Sequence, residues 1–67
     1  MATGVVKWFN PAKGYGFITP DEGGKDVFVH ISAVEQAGMG SLTEGQRLKY
    51  EGVKEPRGMK ATNLQSA

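Results

Sequence analysis

The chain contains no cysteine and only one histidine among its 67 residues. Disulfide bonds and cysteine-based zinc sites are therefore excluded, and a single histidine also excludes the usual multi-histidine metal centres. No apolar run approaches the ~20 residues of a membrane span, and the start, MATGVVKWFN, lacks the long apolar segment of a signal peptide. We therefore expect a cytoplasmic protein that needs no metal, no cofactor and no membrane.

The chain also has almost no excess of one sign of charge, because its 8 Lys and Arg residues are nearly balanced by 7 Asp and Glu residues, which gives a formal net charge of +1. Nucleic-acid-binding domains are typically strongly basic, so net charge alone is weak evidence for a polyanionic partner. Binding of that kind would depend on the local placement of charge and on a non-ionic contribution. The length predicts one domain, residues 1–67, with a small core.

Short runs rich in Val, Phe, Ile, Tyr and Trp alternate with Gly, Pro and Asp, which is typical of a small all-β barrel or sandwich. The sequence predicts five strands, near Gly4–Asn10, Tyr15–Thr19, Asp26–His30, Gln46–Val53 and Lys60–Gln65. A closed or partly closed barrel is favoured, because closure leaves no exposed strand edges.

Two irregular segments are predicted in the second half of the chain. Within the long connection after the third strand, the segment 32–35 (SAVE) fits a capping box with Ser32 as N-cap, and Gly38 is placed to end a helix of one or two turns. Gly52 lies in phase with Leu48 and Tyr50, where an apolar side chain is expected. We therefore expect a thinner core or a bend in the fourth strand at that point.

The stretch KGYGFI, residues 13–18, and the following VFVH, residues 27–30, sort their side chains onto two faces. Residues two apart in a strand share a face, so one face carries aliphatic side chains and the other carries only rings. The aliphatic set is Ile18, Val27 and Val29, and the ring set is Tyr15, Phe17, Phe28 and His30. The remaining apolar residues suffice only for the aliphatic face: Val6, Val34, Leu48, Tyr50, Ala61 and Leu64. An exposed aromatic patch is predicted, and such patches mark interaction sites.

The pattern around Trp8 has no clean period, so it leaves this side chain open between the core and the surface. A lone histidine is more often structural than a ligand, but His30 shares its face with other rings, which favours stacking on a base over metal binding. Four basic residues lie beside or opposite the aromatic strands and are predicted to contact phosphate: Lys7, Lys13, Arg57 and Lys60.

The segment KGYGFI also fits most of the RNP1 consensus of RNA-recognition motifs, although those domains need a longer chain with two full helices. Together with KWFN ahead of it and DVFVH behind it, the chain strongly resembles a bacterial cold-shock protein. The likeness covers nearly the whole chain and is closest from Gly4 to Val34.

This resemblance implies a five-stranded antiparallel OB-type barrel that binds single-stranded RNA and DNA, with pyrimidine-rich strands preferred. It implies that five residues stack on bases, namely Trp8, Tyr15, Phe17, Phe28 and His30, and it thereby places Trp8 on the surface. It further implies basic contacts from Lys7, Lys13 and Arg57, and base-edge hydrogen bonds from Asn10 and Asp26. Ile31 and Met39 stand where the family usually has aromatic residues, so they would touch a base without offering a π face.

The leading hypothesis is a monomeric, ATP-independent RNA chaperone that acts in stress response and gene regulation, with a strand-exchanged dimer as the alternative state. A small barrel that binds Pro-rich peptides is the rival class, since it too would use exposed aromatics. Lys7, Lys13 and His30, interleaved with the rings, favour a polyanion over a peptide. An enzyme is not expected, because the acidic residues near the turn at 21–26 lack the burial that splits carboxylate pKa values, and no P-loop is present.

Overall fold

The computed structural model describes all 67 residues, most of which lie in five strands and one short helix. In chain order the elements are β1 (Ala2–Asn10), β2 (Tyr15–Pro20), β3 (Val27–His30), α1 (Ile31–Gln36), β4 (Arg47–Glu55) and β5 (Gly58–Ser66). The strands close into a barrel in the order β1-β2-β3-β5-β4. The predicted five-stranded barrel with a short helix after the third strand is confirmed. β4 and β5 run further than expected, to a tight turn at Pro56 and Arg57.

The barrel is antiparallel at four of its five pairings, and the closing pair, β3 with β5, is parallel at Phe28 and Lys60. The resemblance implied an antiparallel barrel, which agrees with these four pairings. A closed ring with an odd number of strands cannot alternate in direction all the way round, so at least one pair must be parallel. Parallel neighbours also need a long crossover connection, which α1 and β4 provide here.

The interior is filled by one cluster of buried apolar side chains. It comprises Val6, Ile18, Val27, Val29, Ala33, Val34, Leu42, Leu48, Tyr50, Ala61 and Leu64. Every side chain that the sequence assigned to the aliphatic face is in this cluster, and α1 adds Ala33 beside Val34. The predicted aliphatic face of the strands is therefore confirmed as the inner face of the barrel.

The two glycines that flank Tyr15 meet separate backbone requirements. Gly14 has a φ of 83°, in the left-handed region, and its N–H donates to the carbonyl of Asn10 at 2.8 Å, which closes the loop between β1 and β2. Gly16 lies directly against β1, so that a Cβ placed there would overlap the carbonyl oxygen of Trp8 and lie 2.8 Å from the Cα of Phe9. The second glycine is thus needed for close approach of two strands.

The helix begins earlier than the sequence predicts. Its N-cap is His30, whose Nδ1 accepts a hydrogen bond from the backbone N–H of Ser32 at 3.1 Å. The prediction of a capping box with Ser32 as N-cap is wrong, because β3 runs into α1 without a loop. The last residue of the strand, still extended with φ −96° and ψ 151°, takes the capping position instead.

The helix is terminated as predicted by Gly38, which follows the C-cap residue Ala37 and has a φ of 73°. A Schellman motif closes it, formed by the Gly38 N–H with the Glu35 carbonyl at 2.9 Å and the Met39 N–H with the Val34 carbonyl at 3.1 Å. Glycine relieves the steric cost of the left-handed conformation at that position. Neither in length nor in apolar character does any helix of the structure reach what a bilayer crossing requires.

The irregularity expected at Gly52 lies slightly earlier and mainly in the partner strand. Lys49 pairs with Gln65, but Glu51 pairs with Thr62, so β5 carries one extra residue. Asn63, within this bulge, adopts a φ of 50°, which asparagine tolerates better than most residues. Gly52 itself leaves room for Met59, whose terminal methyl lies 2.7 Å from where a Cβ would stand.

The turn after β2 is tied to two other strands through Asp21. Its Oδ2 accepts a hydrogen bond from the Thr3 hydroxyl at 2.7 Å and forms an ion pair with Arg47 Nη2, also at 2.7 Å. The hydrogen bond from Thr3, followed by that from Arg47, lowers the pKa of the Asp21 carboxyl below its ordinary value of 3.8. The carboxylate form therefore holds this turn against β1 and β4.

We predict that Gly16→Ala lowers the free energy of unfolding by about 2–3 kcal/mol, because its methyl group meets backbone atoms that cannot move without separating β1 from β2. Gly52→Ala is the matched control, since its methyl group meets only the flexible end of Met59. The control is expected to stay within about 1 kcal/mol of the unmodified chain. Urea unfolding followed by circular dichroism measures both, and equal effects would show that the approach at Gly16 is not rigid.

We predict that the stability of the unmodified chain falls as the pH is lowered through the acidic range. Because the pKa of Asp21 is lower in the folded state, its contribution is complete above the ordinary value of 3.8 and is lost as the pH falls through the folded value. In Asp21→Asn the dependence of the thermal midpoint on pH should be shallower. Glu22→Gln is the control, because Glu22 makes no hydrogen bond or ion pair and should leave the slope unchanged. Parallel curves for Asp21→Asn and the unmodified chain would contradict the assignment.

Candidate nucleic-acid interface

Rings from three strands form a continuous cluster on the outer face of the barrel, which we term the aromatic platform. Its members are Trp8, Tyr15, Phe17, Phe28 and His30. Strand register brings them together, because β2 and β3 pair Phe17 with Phe28 and Tyr15 with His30. The predicted ring-bearing face therefore exists as one surface.

A β-bulge in β1 decides the position of Trp8. Val6 pairs with Ile18, but Trp8 pairs with Phe17, so Lys7 is an extra residue in β1. Residues two apart in a regular strand share a face, but one inserted residue reverses the alternation. Val6 therefore points into the core, whereas Trp8, two positions later, points outward. Trp8 then lies 5.3 Å from Phe17 between ring centroids. The bulge explains why the sequence around Trp8 has no clean period.

The platform rings are half-buried, apart from His30, which is exposed. Tyr15 and Phe28 are stacked, with centroids 5.8 Å apart and planes inclined by 28°, whereas Phe17 meets both of them edge-on. Such pairs contribute about 0.5–1.5 kcal/mol each beyond the area that they bury. The rings thus support one another from the side while parts of their faces stay open to a ligand.

His30 is both a member of the platform and the N-cap of α1. Its Nδ1 accepts from the Ser32 N–H and lies 3.0 Å from the Ser32 hydroxyl oxygen. Because Nδ1 is the acceptor, the proton of the neutral ring is on Nε2. The imidazole therefore has a fixed orientation and a ring N–H that can donate to a ligand.

Two of the predicted contact residues are paired with each other. Lys7 Nζ lies 2.9 Å from Asp26 Oδ2, in an ion pair whose side chains are 54% and 34% exposed. An exposed pair of this kind contributes little to stability and can exchange partners readily. The other predicted cations, Lys13, Arg57 and Lys60, make no ion pair, and Lys60 is held beside Phe28 by the β3–β5 pairing.

The remaining predicted residues differ in their placement. Asn10 uses its Oδ1 to accept the Lys13 N–H at 3.1 Å, which shapes the loop and leaves the amide nitrogen and one lone pair of Oδ1 for a base. Ile31 donates its N–H to the Gly14 carbonyl at 2.8 Å, next to the start of β2. Met39 packs against the hydrophobic core and is only partly exposed, so its contact with a base stays a prediction.

A hollow of about 560 Å³ lies between the platform and the β4–β5 hairpin. Its lining consists of Tyr15, Phe17, Phe28, Glu55, Arg57, Gly58 and Met59. The volume falls in the usual range of small-molecule sites. Arg57 was predicted from the sequence as a phosphate contact, whereas Glu55 and Met59 were not. Pro56, next to Arg57, is the signal for a turn that could have indicated that these residues lie together. No three His, Asp or Glu side chains lie together as metal ligands.

Comparison with known proteins gives a consistent result. The family model described as "'Cold-shock' DNA-binding domain" matches residues 2–67. The chain is 60% identical to the probable cold shock protein y4cH of Sinorhizobium fredii, over 98% of this chain and 99% of that protein. It is 56% identical to the cold shock protein CspA of Rhizobium meliloti over the full length of both. It is 52% identical to the cold shock-like protein CspE of Escherichia coli, over 91% and 88% of the two chains.

Proposed function

The chain belongs to the cold-shock domain family of non-enzymatic nucleic-acid-binding proteins, and on that premise we propose that it binds single-stranded RNA and DNA by base stacking. The predicted family and its OB-type barrel are confirmed. The observation that carries the proposal is the aromatic platform, whose rings share one outward face instead of entering the core.

The energies are sufficient for useful affinity without a large positive charge. A base stacked on an aromatic side chain contributes roughly 1–3 kcal/mol, with little dependence on which base it is. A dissociation constant of 1 μM requires ~8 kcal/mol. Four or five stacking side chains can supply most of this amount. Bases in a duplex are already stacked within the helix, so a platform of this kind discriminates in favour of unpaired strands.

We further propose that the protein acts as an RNA chaperone in the cytoplasm, as a monomer with some preference for pyrimidine-rich strands. A ligand that binds only the open form of an RNA hairpin shifts the equilibrium toward that form by its differential affinity. This mechanism needs no nucleotide hydrolysis. It is most useful when low temperature makes RNA structure too stable, and it requires binding to be rapid and reversible.

A peptide-binding barrel is the rival function, and the charges near the platform argue against it. Lys13, Arg57 and Lys60 carry no acidic partner, and the exposed pair of Lys7 with Asp26 can release Lys7 to a phosphate. A Pro-rich peptide offers no counter-charge to these cations, whereas a nucleic-acid strand offers one phosphate per nucleotide.

We predict that Phe17→Ala and Phe28→Ala each weaken binding of a short pyrimidine oligonucleotide several-fold while the barrel stays folded, because half-exposed rings support the ligand more than the core. Quenching of Trp8 fluorescence measures the affinity, and circular dichroism measures the fold. Tyr15→Phe is the matched control, since it keeps the ring, and it should bind as the unmodified chain does. Unfolding without a change in affinity per folded molecule would make the rings core residues, and quenching by a Pro-rich peptide alone would favour the rival function.

We predict a modest dependence of binding on salt. With few unpaired cations near the platform, the logarithm of the association constant should fall against the logarithm of salt concentration with a slope of about two to three. Titrations of Trp8 fluorescence over a range of NaCl concentrations measure the slope. A value of about six or more would show that phosphate neutralisation, and not stacking, drives binding.

A further inference from the structure

The hollow beside the platform contains two opposite charges that have no partner. Glu55 and Arg57 both line it, yet the ion pairs of the structure are those of Lys7 with Asp26 and of Arg47 with Asp21. Glu55 and Arg57 also make no side-chain hydrogen bond. The carboxylate and the guanidinium are therefore both available to a ligand that enters the hollow.

The sheet places the backbone that carries the two charged residues beside the rings. Glu55 pairs with Gly58 across the turn, and Lys60 pairs with Phe28 of β3, which holds the hairpin beside the platform. A flat ligand stacked on the rings that line the hollow presents its edge, not its face, to the rest of the lining. The polar atoms on that edge would therefore meet Glu55 and Arg57.

A carboxylate in this position selects among bases. It can only accept hydrogen bonds, and it repels phosphate, so its suitable partner on a base is an exocyclic amino group. The ring N3–H of thymine and uracil suits it less, because that donor lies between two carbonyl oxygens that repel a carboxylate, whereas an exocyclic amino group avoids this arrangement. Among pyrimidines, cytosine carries such a group at C4, where uracil and thymine carry a carbonyl oxygen. The guanidinium, which can only donate, suits a phosphate or a base carbonyl.

The geometry points to Glu55 as a specificity-determining residue, which makes the hollow a subsite for bases with an exocyclic amino group and thus for cytosine over thymine or uracil. Arg57 binds the adjoining phosphate or a carbonyl oxygen of the same base. This inference rests on the proposed function, since it assigns a preference to one position of the bound strand. The preference is distinct from the stacking itself, which is tolerant of base identity.

The test compares oligo-dT with the same oligonucleotide carrying a single cytosine, placed at each position in turn, with Trp8 fluorescence as the readout. At one position the unmodified chain should favour cytosine over thymine. In Glu55→Gln this ratio should fall about fivefold, because the amide can donate to the carbonyl oxygen of thymine. Glu51→Gln is the matched control. It removes the same charge from the same strand. Glu51, however, lines a second, separate hollow on another side of the barrel, together with Met1 and Asn63.

A change in the ligand tests the same contact without any change in the protein. At the position that favours cytosine, we replace cytosine by 2-pyrimidinone, which is cytosine without its amino group. For the unmodified chain, this replacement should lower the affinity relative to thymine about fivefold. For Glu55→Gln, the same replacement should change the affinity only weakly. Failure of the chain to respond to loss of the amino group would overturn the inference.

The outcomes separate this inference from the proposed function. If the unmodified chain binds oligo-dT but its ratio of cytosine to thymine is the same in Glu55→Gln, the inference is wrong and the proposed function stands. If Glu51→Gln alters the ratio as much as Glu55→Gln does, the preference for cytosine comes from the overall charge and not from a contact with Glu55, and the inference is again wrong. If the unmodified chain binds none of the oligonucleotides, both are wrong.

Discussion

A sheet of this size can bury only one of its faces, and the arrangement of the outer face follows from that constraint. The barrel interior takes the aliphatic side chains of the strands together with Tyr50, and nothing in a chain of 67 residues is left to cover the opposite side of β1, β2 and β3. The rings that point outward there reduce their contact with water by packing against one another. A surface of half-buried rings is the result, and it needs only a flat partner to complete its burial.

The charges act locally because the net charge is nearly zero. Asp26 partly neutralises Lys7 at one side of the platform, while Arg57 and Glu55 stand unpaired at the other. A strand that crosses the platform therefore meets a sequence of different electrostatic environments. Stacking supplies an attraction common to all bases, and the individual charges can adjust the register and the preference at single positions.

The inner face and the β2–β3 part of the platform were predictable from sequence, because both strands alternate without interruption. Trp8 was not predictable from alternation, since the bulge at Lys7 reverses the phase and only the resemblance to a family placed the ring outside. The start of α1 was missed because β3 enters it directly, which gives a strand residue, His30, the capping role. The position of Glu55 beside the platform was not predictable, because the outer half of the β4–β5 hairpin projects beyond the core and its sequence has no alternating apolar pattern.

The double role of His30 affects what a ligand encounters at that end of the platform. Rotation of the imidazole about its side-chain bonds would remove the hydrogen bond that Nδ1 accepts from the first turn of α1. That helix is in turn held by Ala33 and Val34 in the core. The torsional freedom of this side chain is therefore already restricted in the unbound protein. A base stacked on His30 would avoid part of the penalty of about 0.5–1.5 kcal/mol that immobilising a freely rotating side chain imposes.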